Sequence, residues 1–326
     1  MRNTAKLINV IIMALLLFAS CKKEKLEWQD VEKLESHTTD RLKSLMFVND
    51  TLGYVVGGER FHRATILISK NGGATWTKKD FPEFGKGIYG ITQKYTGETV
   101  AIGFEGKLLT TGDGGENWTF NLLNSWEPYK DVEFIEPGTG IAIVGISFNY
   151  GAMAYFDDKY SIYRYDTFAY ELNDIKMINN RVGYISGCGV VMKTTDGAVK
   201  WHLLDINNDN FTAVYALDEN ELWICGYNGS ICHTSDGGAN WERLRSGNDI
   251  KKARYRLLDI VFKDRMNGWA VGEEGVIIRT TDGGKKWKLY RKFTDQALRS
   301  ITIATNGYLV VAGDGVSLYR LKTQEF

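Results

Sequence analysis

Three aspartates and a set of cations are the residues in this chain best placed to do chemistry. When its recurring strand-like segments are aligned on their first apolar residue (Leu45, Ile91, Val132, Ile175, Val214, Ile260 and Ile301), the preceding position reads Ser44, Gly90, Asp131, Asp174, Ala213, Asp259 and Ser300. Carboxylates repeated at one structural position can serve as general acids or bases. Small and acidic residues there equally describe the wet wall of a narrow channel. Further out stand Arg41, Lys43, Tyr89, Lys130, Asn173, Arg256 and Arg299. Arg256, Arg299, Arg41 and Lys43 belong to neighbouring repeats, so they are expected to form one basic arc suited to a carboxylate or an anionic surface. Solvated surface charge is the alternative. Two connections, Glu59–Arg63 and Ser147–Tyr150, are longer than their counterparts, and enlarged loops are where binding concentrates.

Other motifs fail on context. Gly85-Lys86-Gly87-Ile88-Tyr89-Gly90 matches the spacing of a dinucleotide fingerprint, but a strand follows it where that site needs a helix. Asp205-Ile206-Asn207-Asn208-Asp209-Asn210 begins like a calcium loop, yet its sixth position is Asn210 and its twelfth Ala216, where Gly and Glu belong. His37, His62, His202 and His233 share no ligand spacing, and no zinc or nucleophile-elbow motif is present. No cofactor or metal is expected. With 40 basic and 40 acidic residues, nothing global points to nucleic acid.

The elements that must position these groups are repeats. Thr280-Thr281-Asp282-Gly283-Gly284-Lys285-Lys286-Trp287 recurs as Thr234–Trp241 around Asp236 and, one residue longer, as Thr110–Trp118 around Asp113. Ser69–Trp76 carries Asn71 for the aspartate, and Thr194–Trp201 keeps Asp196 but has Ala198 for the second glycine. The acidic or amide oxygen can accept backbone N–H bonds that close the turn, glycine tolerates positive φ, and the Trp buries a large ring on the strand that leaves. The octet resembles the Asp box, the bacterial neuraminidase repeat, whose place in its families is a structural turn at the blade periphery. Asn71, Asp113, Asp196, Asp236 and Asp282 are therefore read as structural.

The Trp residues serve as a ruler. Trp76 to Trp118 is 42 residues, Trp201 to Trp241 is 40, and Trp241 to Trp287 is 46. Trp118 to Trp201 is 83, two periods with one box worn away at Tyr160, and Trp28 lies 48 before Trp76. A period in the forties with four short strands is the signature of propeller blades. The last period, through Ser300–Ile303, Gly307–Gly313 and Val316–Tyr319, lacks a fourth strand, while Leu26–Val31 is a spare one. The expected fold is all-β, a seven-bladed β-propeller over residues 26–326 whose N-terminal strand closes the last blade and removes its exposed edges.

Residues 1–20 read as a signal peptide: basic Arg2 and Lys6, then an apolar run from Leu7 to Phe18. Leu17-Phe18-Ala19-Ser20-Cys21 looks like a bacterial lipoprotein cleavage box, which implies a lipidated Cys21, a tether over 21–25 and an address in the cell envelope, at the outer membrane. Cys225 and Cys232 flank Gly226–Ile231. A two-residue turn at Asn228-Gly229 would set them opposite each other, leaving either a cross-strand disulfide or two buried thiols.

The repeat as a whole, an Asp, then Gly-(Tyr/Trp)-x-Val-Gly-x-x-Gly, then the box, resembles the photosystem II stability/assembly factor family over nearly all of Leu26–Leu321. The resemblance implies a seven-bladed propeller that binds a membrane-protein partner through a basic patch, for which Arg256, Arg299 and Arg41 are the candidates here. The expected function is a lipid-anchored, non-catalytic propeller that binds or assembles a protein partner in the envelope. The competing reading, also drawn from the boxes, is a glycan-binding or glycoside-cleaving propeller of sialidase-like architecture. The Arg-Ile-Pro tripeptide of that family is absent, and all three prolines, Pro82, Pro128 and Pro137, lie elsewhere.

Overall fold

A computed structural model describes residues 25–323, except 82–83, 136–137, 250–253 and 305–306. The expected signal peptide, Cys21 and most of its tether lie outside the described residues. Alternating short strands and tight turns give seven four-stranded antiparallel sheets. The innermost strands are Arg41–Phe47, Ile88–Gln93, Tyr129–Ile135, Leu172–Met177, Phe211–Ala216, Leu257–Phe262 and Leu298–Ile303. Each packs beside the next around the ring, the last beside the first. The fold is the seven-bladed propeller that the repeat predicts.

Apolar residues run through both faces of the middle strands because each sheet is sandwiched between neighbours. The described core accordingly divides into seven clusters, one per interface between blades. Each box Trp packs against the preceding blade. Trp118 joins the cluster of Tyr54 and Ile66 of blade one, and Trp241 joins that of Tyr184 and Val191 of blade four. In blade three, which has no box, Tyr160 takes this place against Val100 and Leu108 of blade two. Its positive φ of 60° is held by a turn in which Asp157 Oδ1 accepts the N–H groups of Lys159 and Ser161, both at 2.9 Å.

The box turns share one hydrogen-bond plan. In Thr234–Trp241, Asp236 Oδ1 accepts Asn240 N–H at 2.9 Å and the Thr234 hydroxyl at 2.7 Å. Thr234 Oγ1 in turn accepts Gly238 N–H at 2.9 Å. The Asn240 side chain and backbone hold the Asp236 carboxyl down to about 2, so it stays an acceptor across ordinary pH. Gly238 has φ 90°, and a Cβ there would meet Leu204 Cδ1 at 2.5 Å. A side chain there would be strained and would have to displace Leu204, although Ala198 holds the equivalent position of blade four at φ 62°. Asp113 repeats the arrangement, as do Asp196, Asp282 and the amide of Asn71.

Ring closure comes from the N-terminus. Asp30–Lys33 pairs antiparallel with Leu318–Lys322 of blade seven, Asp30 opposite Lys322 and Lys33 opposite Tyr319. The strand starts later than the expected Leu26, because Leu26–Trp28 does the work of a box. Trp28 stacks on Tyr290 of blade six at 3.7 Å, and Leu26 bridges the same residue. Blade seven thus has its Trp against the preceding blade like the five blades that carry a box.

The cysteines do not face one another. The loop between their strands is longer than two residues, since Gly226 N–H bonds to Ser230 O at 3.0 Å, and Cys225 pairs with Ile231 while Cys232 pairs with Ile224. A one-residue slip of register sends side chains to opposite faces. Cys225 is buried against blade six and Cys232 against blade four, and both are free thiols. The loop is set by Asp209, whose carboxylate accepts Asn228 N–H at 2.8 Å and Ser230 N–H at 3.0 Å. The second aspartate of the calcium-like stretch is therefore spent on backbone.

Replacing Trp241 with Ala removes a ring wedged between blades four and five and is expected to destabilise the fold by about 3 kcal/mol. A thermal melt reads this, and an unchanged midpoint would contradict the packing.

Candidate binding site at the channel mouth

The mouth of the central channel is built by one backbone irregularity repeated seven times. Every innermost strand shifts register against its neighbour at the same place: between Leu42 and Ser44, Ile88 and Gly90, Tyr129 and Asp131, Leu172 and Asp174, Phe211 and Ala213, Leu257 and Asp259, and Leu298 and Ser300. The extra residue at each bulge is Lys43, Tyr89, Lys130, Asn173, Thr212, Leu258 or Arg299. A bulge re-aims its side chain, and all seven line one cavity of about 840 Å³. Glycines ending the second strands make this possible. A Cβ on Gly272 would lie 2.0 Å from Arg256 O, and one on Gly313 would lie 2.1 Å from Ala297 O.

Of the expected mouth residues, Arg41, Lys43, Tyr89, Lys130, Asn173 and Arg299 line this cavity. Arg256 does not line it. Two residues ahead of the bulge, its exposed guanidinium pairs with Glu273 at 2.9 Å and lies over the Tyr227 ring. Thr212 and Leu258 hold the bulge positions of blades five and six and were missed. Counting back from the first core residue by the same number in each blade would have found them.

The cations differ in what they face. Lys130 is tied to Glu171 at 2.5 Å and to Asn173 Oδ1 at 2.7 Å. Arg299 forks onto Asp314, with Nη2 to Oδ2 at 2.8 Å, and Arg63 pairs with the buried Asp40. Arg41, Lys43 and Arg60 have no ion pair among the described residues. Lys43 lies 5.7 Å from the centre of the Tyr89 ring. Burial, then the positive field of Arg299, lowers its ammonium to about 8. Arg60 lies 5.0 Å from the ring centres of both Phe61 and Phe104. Phe61 and Ile146, both about half exposed, complete an apolar flank at the cavity rim.

Deeper in, the aspartates join blades. Asp131 Oδ2 accepts Ile175 N–H at 3.3 Å, Asp174 Oδ2 accepts Val214 N–H at 2.7 Å, and Asp259 Oδ2 accepts Ile301 N–H at 2.9 Å. Each bond crosses to the next innermost strand. Burial pushes Asp259 up to about 7. Burial and the charge of Glu133 do the same to Asp131, also to about 7. Asp174, buried and facing Asp131, is raised well above the usual carboxylate range. Asp131 and Asp174 stand on adjacent inner strands and each perturbs the other's carboxyl. Below them Glu133 holds Lys176 at 2.8 Å.

Comparison with known proteins adds family to geometry. The family model for the photosynthesis system II assembly factor YCF48 matches residues 154–251 and 248–318. The chain belongs to the YCF48 assembly-factor family. Among curated proteins none matches. A solved structure of YCF48 bound to a D1 peptide superimposes with a TM-score of 0.73 at 16% identity, over 94% of this chain and 100% of that one. YCF48 from Cyanidioschyzon merolae gives 0.68 at 17%, over 90% and 98%. The WD40 propeller domain of Doa1 gives 0.64 at 14%, over 91% and 98%. At these identities the likeness is one of fold, and it spans the whole YCF48 propeller.

The raised aspartates fix a pH dependence. A carboxyl whose folded pKa lies near 7 and whose unfolded value is near 4 binds protons on folding, so its contribution to stability is whole below about 4 and is lost as pH rises through about 7. Asp259→Asn keeps an acceptor for Ile301 N–H and cannot ionise. Its melting temperature is expected to exceed wild type at pH 8, with the difference shrinking toward pH 4. Parallel melting curves at both pH values would contradict the burial.

Proposed function

We propose that this protein is a non-catalytic binding propeller that helps assemble a protein partner in the bacterial envelope, held to the membrane by lipid on Cys21. The observation that carries the binding site is the trio Arg41, Lys43 and Arg60, cations without ion pairs lining a broad cavity with Phe61 and Ile146 on its rim. Unpaired cations beside exposed apolar side chains suit a segment that offers a carboxylate and a hydrophobic residue together. Charged guanidinium groups would take the carboxylate, and the Phe61–Phe104 pair with Ile146 would seat the apolar side chain. The channel-wall aspartates Asp131, Asp174 and Asp259 are each engaged with a backbone N–H of the next blade, which favours recognition over hydrolysis. Membership of an assembly-factor family supports the reading, as does the YCF48 structure that holds a D1 peptide.

Affinity capture of the anchored protein from detergent-solubilised membranes tests it. Arg41→Ala/Lys43→Ala/Arg60→Ala is expected to lose the partners retained by wild type, while Arg256→Ala keeps them. Wild-type capture should weaken with added salt, and as pH rises past 8 and Lys43 gives up its charge. Equal recovery by the triple variant would refute the site. Separately, Cys21→Ala is expected to shift the protein from the membrane to the soluble fraction, and membrane retention through a salt wash would refute the anchor.

A further inference from the structure

The outer edges of the blades are not alike. In six blades the outermost strand has two to four residues, as in Thr77–Asp80, His202–Leu203 and Lys288–Leu289. Most of these carry Lys or Arg. In blade three, where no box turn cuts the hairpin short, it is Ile162–Phe168, seven residues long. It follows the third strand from Arg164 opposite Tyr155 to Phe168 opposite Gly151, above a single irregularity at Tyr163. No strand or isolated bridge covers its other side among the described residues. Short strands are one way proteins blunt an open edge, and a long one whose two charges, Arg164 and Asp166, already pair with each other is a template for pairing.

The sequence of this edge is complementary to itself. Antiparallel pairing of two copies about Tyr165 sets Arg164 of each against Asp166 of the other, twice by symmetry, and Tyr163 against Thr167. Arg164 and Asp166 already share one face at 2.5 Å and remain about one third exposed, so four alternating charges would close into a single network. Tyr163 is 60% exposed and Val199, whose carbonyl accepts Arg164 Nη1 at 2.9 Å, is 61% exposed. They are part of a larger bias. Of fourteen exposed large apolar residues among the described ones, ten lie in blades two to four, which places uncovered apolar surface on both sides of this strand. Self-pairing through one edge generates a closed two-fold contact rather than a fibre.

We infer that a second copy of this chain docks along the blade-three edge, joining two sheets into one across a two-fold axis at Tyr165. The contact lies on the outer flank and leaves the channel mouth of each copy open.

Sedimentation of the full-length protein in detergent tests the proposal with charge exchanges. Wild type is expected to sediment with the protein mass of two copies. Arg164→Asp alone sets acid against acid, Asp166→Arg alone sets base against base, and each should sediment as one copy. Mixing these two single variants restores opposite charges at both contacts and should recover the dimer, as should the double variant R164D/D166R. Recovery on mixing also shows that each single variant is folded. A wild type of one copy at micromolar concentration, a dimer indifferent to the single changes, or no recovery on mixing would each overturn it.

Discussion

A sheet of four short strands that is apolar on both faces has nowhere to hide except between two others like it. That constraint shapes the whole molecule. Each blade buries its faces only by having neighbours, and the row of blades stops needing neighbours only when it closes. The seven interface clusters, the Trp or Tyr of each blade seated against its predecessor, and the N-terminal strand that completes blade seven all answer the same demand. The glycine turns serve it too. They deliver each ring to the interface by reversing the chain in few residues, with the acidic oxygen of the box satisfying N–H groups that the turn would otherwise strand.

The channel mouth inherits its properties from this architecture. Seven inner strands converge on one axis, so a bulge at the same point in each converts a local backbone defect into a ring of side chains. Two layers follow. The outer layer is basic and partly unpaired, and meets solvent. The inner layer is acidic, half-buried and bound to backbone N–H groups of the adjoining blade. Desolvation acts oppositely on the two, lowering the Lys43 ammonium and raising the aspartates, so the inner layer is less charged at neutral pH than its composition suggests while the outer layer keeps its charge. Placing carboxylates where they stitch strands together costs stability as they ionise, which is tolerable in a wall already held by apolar packing outside it.

Blade three is the exception that gives the ring a front and a back. Having lost the box, it keeps a tight turn at Asp157–Ser161 and lets its outer hairpin run on. Its second connection carries Ile146 and Phe148 out to the solvent on the mouth side. The uncovered apolar residues gather on this sector, while Arg41, Lys43 and Arg299 cluster on blades seven and one. A molecule with pseudo-sevenfold backbone symmetry thereby acquires two chemically different sides.

The fold was legible in the chain because repeats are a one-dimensional signal. The Trp spacing, the box octet, the glycine at or near the end of each second strand and the spare strand at the N-terminus are all local patterns, and together they fix seven blades and their closure. The positions of Lys43, Tyr89, Lys130, Asn173 and Arg299 at the mouth followed from the same alignment. What local pattern could not decide was anything turning on a single residue of register. The bulge put Leu258 rather than Arg256 on the cavity, because one extra residue re-aims a side chain. The longer loop held by Asp209 sent Cys225 and Cys232 to opposite faces for the same reason. Nor could sequence tell which cations are spent. Asp314 and Asp40 reach their partners only once their own blade is folded, and Glu171 only across to the blade before it, so the charge left unpaired at the mouth is a property of that three-dimensional meeting.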